Sequence, residues 1–143
     1  MKEKFIKAFM DVAERFAQLS HAERAKVGAI IVKDDRIISI GYNGMPSGWD
    51  NRCEDTYDDN GVSIVRTRPE VLHAEANAIA KLAQSNENAK GATLFCTHLP
   101  CMECAKLIYQ SGINTVYYRV EYEAAKGTGK KFLIESGVNV AQY

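Results

Sequence analysis

The chain has 143 residues, 46% hydrophobic and 25% charged, values suited to one globular domain with a full apolar core. Lys and Arg number 18 and Asp and Glu number 18, so the net charge is zero; that argues against a nucleic-acid binder, which carries a basic excess, and leaves room for a small anionic ligand. No apolar run nears the ~20 residues that span a bilayer, the start Met1-Lys2-Glu3-Lys4-Phe5 lacks a signal peptide's apolar stretch, and four cysteines suit a reducing compartment, so a cytoplasmic protein without membrane partners is expected.

Phe5, Phe9, Val12, Ala13, Phe16 and Leu19 recur at helical spacing and predict an amphipathic helix over 3–19, its aromatics in the core. Val27-Gly28-Ala29-Ile30-Ile31-Val32 reads as a buried strand, Lys33-Asp34-Asp35-Arg36 as a turn and Ile37-Ile38-Ser39-Ile40-Gly41-Tyr42 as the returning strand. Residues 43–72 carry Gly44, Pro46, Gly48, Gly61 and Pro69 and read as irregular, a length of loop that is usually functional or disordered. A helix is expected over 73–83, with Ala76, Ile79, Ala80 and Ala83 as its apolar stripe, then a strand over 92–96. Pro100 stands at the start of a helix over 101–111 that Gly112 ends. A strand follows at Thr115-Val116-Tyr117-Tyr118, then a helix over 124–136 and a short strand over 138–141. The order α-β-β-α-β-α-β-α-β implies a three-layer α/β/α fold over the single domain 1–143, a mixed sheet of about five strands with helices on both faces.

Two motifs carry chemistry: His73-Ala74-Glu75 and Pro100-Cys101-Met102-Glu103-Cys104. Both open predicted helices, where the positive dipole end favours thiolate over thiol, and the three-residue spacing puts Cys101 and Cys104 on one side of a turn. One imidazole and two thiolates leave a fourth position open, the arrangement of a catalytic zinc. A lone Cys-x-x-Cys would also suit a redox pair or half a zinc ribbon. The first needs no histidine, and the second needs another such pair, which Cys53 and Cys96 do not form. A zinc-stabilised binding module would not need Glu75 and would close the fourth position. His-x-Glu followed by Pro-Cys-x-x-Cys is the pattern of zinc-dependent nucleobase deaminases, in which the glutamate is acid and base rather than ligand. The Ala74 and Cys101 amides, at helix N-termini, are candidates to hold the pyrimidine carbonyl or the reacting oxygen.

His73-Ala74-Glu75-Ala76-Asn77-Ala78-Ile79, Pro100-Cys101-Met102-Glu103-Cys104-Ala105-Lys106 and Gly41-Tyr42-Asn43-Gly44-Met45-Pro46-Ser47-Gly48 resemble deoxycytidylate (dCMP) deaminases over residues 27–122. The zinc motifs mark the wider cytidine deaminase superfamily, and the 41–48 block narrows it. The resemblance implies deamination of dCMP to dUMP and ammonia, activation by dCTP, inhibition by dTTP and a homo-oligomer, commonly a hexamer. It places a tyrosine, here Tyr122, against the pyrimidine. Some viral members hold a second, structural zinc. Here Ala22 stands where its first cysteine would fall and the long loop offers only Cys53, so one zinc per chain is expected.

The substrate phosphate needs cations, and Arg66, Arg68, Lys126, Lys130 and Lys131 flank the predicted pocket without a ranking, Arg68 being carried forward as a substrate contact. Gly127-Thr128-Gly129-Lys130 fails as a phosphate loop, having Ala124 and Lys131 where the pattern wants glycine and Ser or Thr. His98, beside Pro100, is expected in the pocket wall. Gly41, Tyr42, Asn43 and Gly44, with Arg24 and Lys26 near the hairpin's end, are the expected effector site, the alternative being a glycine-rich turn that only shapes the pocket. Cytidine, or adenosine in RNA, remains an alternative substrate of the same chemistry.

Overall fold

A computed structural model describes residues 1–121 and 127–143. Its elements in chain order are α1 (Glu3–Ala17), β1 (Gly28–Lys33), β2 (Arg36–Tyr42), β3 (Glu54–Asp59), β4 (Val62–Thr67), α2 (Ala74–Leu82), β5 (Thr93–His98), α3 (Met102–Gln110), β6 (Thr115–Val120), α4 (Lys130–Glu135) and β7 (Asn139–Gln142). The main sheet has five strands in the order β2-β1-β5-β6-β7. β1 runs antiparallel to β2 and β5, whereas β5, β6 and β7 are parallel. The parallel half is the half with helical crossovers, α3 between β5 and β6 and α4 between β6 and β7.

Strand alternation sorts the core into two layers. Ile30, Val32 and Phe95 face Ile6, Met10 and Ala13 of α1. Ala29, Ile31, Leu94, Cys96 and Val116 face Ala74, Ala78, Ala105, Ile108 and Leu133 of α2, α3 and α4. Helices therefore cover both faces of a mixed five-stranded sheet, as the element order implied. Two glycines set the depth of this packing. A Cβ on Gly28 would run into the backbone of Ala13 and Ala17, and one on Gly41 into Ala74 and Ala78. Gly41 thus lets α2 settle against β2, a packing role different from the effector role expected of it.

Residues 43–72 depart from the irregular loop read from their composition. β3 and β4 form a separate two-stranded antiparallel ribbon with Glu54 opposite Thr67 and Asp59 opposite Val62. Asn60 (φ 52°) and Gly61 (φ 82°) make the two-residue turn. Asn-Gly is the strongest short hairpin signal, but the strands it joins lack a clean apolar–polar alternation because neither face is covered. No helix among the described residues is long and apolar enough to cross a membrane.

Candidate active site

His73 and Cys101 are the residues just before α2 and α3, in extended conformation (φ −71°, ψ 151° and φ −71°, ψ 170°), and Cys104 lies in the first turn of α3. Both helices pack on the same sheet face, so their N-terminal ends converge. His73 Nδ1 is 3.5 Å from Cys101 Sγ and 3.3 Å from Cys104 Sγ. An edge between a nitrogen at ~2.1 Å and a sulfur at ~2.3 Å of a tetrahedral zinc is about 3.6 Å, so the three donors fit that ion. They are the metal-capable cluster found among the described residues. The thiols are electrostatically split. The hydrogen bond from Cys104 draws the Cys101 pKa down, burial opposes it and His73 assists. Cys104 is pushed up by that bond to Cys101 and by burial. The pair thus favours a thiolate at Cys101, the form in which a cysteine ligates a divalent cation.

Glu75, in the first turn of α2, is 5% exposed and is the buried carboxylate beside this cluster. Burial raises its pKa, against its own backbone N–H and the His73 charge, which lower it. A carboxyl held above its ordinary range suits a group that must both take and give a proton. Cys96, buried beneath, is raised well above the ordinary thiol value by burial first and then by Glu75, which keeps it a neutral core residue.

A cavity of about 260 Å³ opens over these groups, lined by Arg24, Val27, Asn43, Glu54, Thr67, Val71, His73, Ala74, Glu75, His98 and Cys101 among others. Arg24 is the one Lys or Arg in that lining among the described residues. Arg24 was expected in the effector site; the cations expected at the phosphate are, among the described residues, engaged elsewhere. Arg68 donates to Asp50 Oδ1 at 2.8 Å and to the Arg52 carbonyl at 2.8 Å, tying the loop before β3 to the end of β4. Arg66 lies over the Tyr57 ring. Lys130 donates to the Tyr118 hydroxyl at 3.0 Å and pairs with Glu121 at 3.1 Å, and Lys131 pairs with Glu135. Lys26 is exposed and lines neither cavity. Tyr122 and Lys126 lie outside the described residues.

Asn43 is a clamp. Its Oδ1 accepts from Val27 N at 2.8 Å, its Nδ2 donates to the Ala25 carbonyl at 2.7 Å, and Ser20 Oγ donates to its carbonyl at 2.7 Å. Asn43 thereby shapes the segment that carries Arg24. Glu54 completes it, its Oε1 accepting from the amides of Glu23 (2.9 Å) and Arg24 (3.3 Å). His98 is half-buried, Nδ1 2.9 Å from Thr97 Oγ1, and burial lowers its pKa. Glu54 and Thr67 were not legible as site residues, and recognising the Asn60-Gly61 hairpin would have found them, since that register brings them side by side at the ribbon's root. Tyr42 and Gly44 instead line a second cavity of about 640 Å³ with His21, Trp49, Cys53, Leu72 and Lys81. The residues grouped from sequence as one effector site are thus divided: Arg24 and Asn43 face the first chamber, Tyr42 and Gly44 the second.

A histidine and two cysteines on converging helix starts, with a buried glutamate beside them over a mixed five-stranded sheet, define a zinc-dependent hydrolytic deaminase. The sequence profile of the cytidine and deoxycytidylate deaminase zinc-binding region matches residues 3–120, and the chain belongs to that family. It is 41% identical over 120 residues to a deoxycytidylate deaminase of Mycobacterium phage D29, covering 79% of this chain and 92% of the relative. The human deoxycytidylate deaminase is 34% identical over 146 residues, covering 94% and 77%. The crystal structure of the dCMP deaminase of cyanophage S-TIM5 in complex with dCMP and dUMP superposes with a TM-score of 0.88 at 44% identity, covering 100% of this chain and 99% of that one.

Proposed function

We propose that the protein hydrolyses dCMP to dUMP and ammonia. The observation that carries this is the meeting, in one cavity, of His73, Cys101, the buried Glu75 and Arg24, with Cys104 completing the ligand cluster behind its wall. Likeness to the cyanophage enzyme, whose structure holds dCMP and dUMP, supports the choice of substrate. His73, Cys101 and Cys104 would hold one zinc ion, which supplies Lewis-acid activation of water when bound. Glu75 takes the proton of the attacking water and delivers it to N3 of cytosine as the C4–O bond forms. It then takes the remaining proton from the new C4 hydroxyl and passes it to the exocyclic amine, so that the C4 carbonyl forms, the C4–N bond breaks and ammonia departs. Burial of Glu75 keeps that proton from bulk solvent. The Ala74 amide, at the start of α2, holds the pyrimidine carbonyl, and His98 forms part of the wall. Arg24 meets the 5′-phosphate, its backbone fixed by Glu54 and Asn43.

The test is ammonia release from dCMP, deoxycytidine and cytidine in parallel. Arg24→Ala should raise KM for dCMP roughly 10- to 100-fold, the worth of a hydrogen bond to a charged group, and leave deoxycytidine turnover unchanged. Wild-type turnover that is no faster on dCMP than on deoxycytidine would overturn the substrate reading.

Regulation belongs to the same proposal. dCTP activates and dTTP inhibits from the 640 Å³ chamber, where Tyr42 and Trp49 offer ring faces, Lys81 positive charge and His21 an imidazole. The chain works as a homo-oligomer, a hexamer by its resemblance, in the cytoplasm. Saturation curves with each triphosphate test the regulation: dCTP should lower, and dTTP raise, the substrate concentration at half-maximal rate. Curves unmoved by either would remove it.

A further inference from the structure

The β3–β4 ribbon is built unlike the rest of the molecule. Among the described residues its strands make their extensive contacts only with each other. It exposes Val62 (61%), Tyr57 (45%) and Val65 (43%), and a two-stranded ribbon of such length is marginal in water on its own. Its two outer edges differ. β3 reads Glu54-Asp55-Thr56-Tyr57-Asp58-Asp59, and a second copy of that strand laid against it would set carboxylates against carboxylates. β4 reads Val62-Ser63-Ile64-Val65-Arg66-Thr67, β-branched and without an acid. One edge is guarded and the other is open.

We infer that the β4 edge pairs antiparallel, about a two-fold axis, with the β4 edge of a second copy of this chain. This rests on the reading that the chain assembles with itself. The hairpin geometry sets the register. A two-residue turn closes on the hydrogen-bonded pair Asp59–Val62, so alternation turns the backbone groups of Ser63 and Val65 outward. A two-fold at Ile64 then bonds Ser63 to the partner's Val65 and Val65 to the partner's Ser63. The side chains agree. Tyr57, Ile64, the partner's Ile64 and the partner's Tyr57 form an apolar row across four strands. On either side of it Arg66 lies between Asp55 of its own ribbon and, beyond the partner's Val62, the partner's Asp59. Arg66, which already lies over Tyr57, is within side-chain reach of acids on both chains. A face complementary to itself under a two-fold fits a second copy and has no need of another protein.

The consequence reaches the active site because the ribbon's root pair, Glu54 and Thr67, lines the catalytic cavity, and Glu54 holds the Arg24 amide. Pairing of the arms steadies that wall.

The experiment is mass by light scattering on the zinc-loaded full chain, wild type against V65P and I64E. Proline removes the outward N–H of Val65 while sparing the ribbon's own ladder, and I64E brings two carboxylates together on the axis. Zinc content and thermal unfolding report that each variant is folded. The expected result is a mass reduced by a factor of about two, with KM for dCMP raised and kcat at saturation retained. Folded variants with wild-type mass and wild-type KM overturn the interface while leaving self-assembly standing; a monomeric wild type overturns both. Hydrogen exchange on the wild type needs no variant: slow exchange at Ser63 and Val65 supports the pairing, and exchange as fast as at the free β3 edge refutes it. Neither result touches the deaminase reading, which ammonia release decides separately.

Discussion

The zinc cluster and the ribbon are both made of short elements joined by tight turns, yet their side chains live under opposite rules. His73, Cys101 and Cys104 hang from helices whose inner faces, Ala74, Ala78, Ala105 and Ile108, are fully enclosed. Each ligand is placed by packing, and a shift of one is a shift of the core. The ribbon buries almost nothing beyond its root, and its conformation rests on a turn and a ladder. One region has geometry enforced from beneath, and the other has geometry that waits for a partner. Substitutions should therefore be severe and chemical in the first, mild and assembly-dependent in the second.

The largest effect should come from the ligands. Replacing Cys101 and Cys104 together by Ser should abolish zinc binding and turnover, measured by elemental analysis and ammonia release; zinc retained near one per chain would show that the ion sits elsewhere. Glu75→Gln should keep zinc and fold and lose about 10²–10⁴ in kcat, since an amide cannot shuttle a proton. Near-normal turnover of the zinc-loaded variant would remove Glu75 from the chemistry. Gly129→Val comes next. A side chain there runs into Ala105 and the Cys101 carbonyl, and overpacking of that kind costs about 1–3 kcal/mol. Reduced zinc affinity as well as a lower Tm is the expected pair of results, and a lower Tm with unaltered zinc affinity would separate the ligands from the packing beneath them. The smallest effect should be Gly61→Ala at the ribbon's tip. Its φ of 82° disfavours a Cβ by about 1–2 kcal/mol, but the strain falls on an arm outside the core, so zinc content and kcat should be untouched. A loss of kcat there would make the two regions one.

What the sequence displayed follows the same divide. Helices and strands with one enclosed face announce themselves by period, and the elements were readable from Phe9, Val12 and Ala13 or from Ile30, Ile31 and Val32. The inner helix faces were not: α1 buries Ile6, Met10 and Ala17 and exposes Phe5 and, beyond its end, Leu19, and α2 buries Ala74, Ala78 and Leu82 and exposes Ala80 and, at its C-cap, Ala83. The ligands were readable because zinc demands particular donors at particular spacing. Residues 54–67 were not, because a ribbon with both faces uncovered carries no periodic trace, and Glu54 reaches the cavity only through a register set by two turn residues. Arg68 was read as the substrate contact and Arg24 as an effector contact, because letters alone do not say which cation faces which cavity. Only three-dimensional neighbours showed one at the cavity and the other locked to Asp50 and Arg52.

Asn43 stands between Tyr42 and Gly44, so the partition between the two chambers is, at that point, a single residue thick. If the larger chamber takes an effector as proposed, this partition is where the two sites meet: the Asn43 amide ties the residue between Tyr42 and Gly44 to Val27 and Ala25, and so to the segment that carries Arg24. Thermodynamics makes the traffic two-way: whatever factor an occupant of the larger chamber applies to affinity in the smaller, an occupant of the smaller must return.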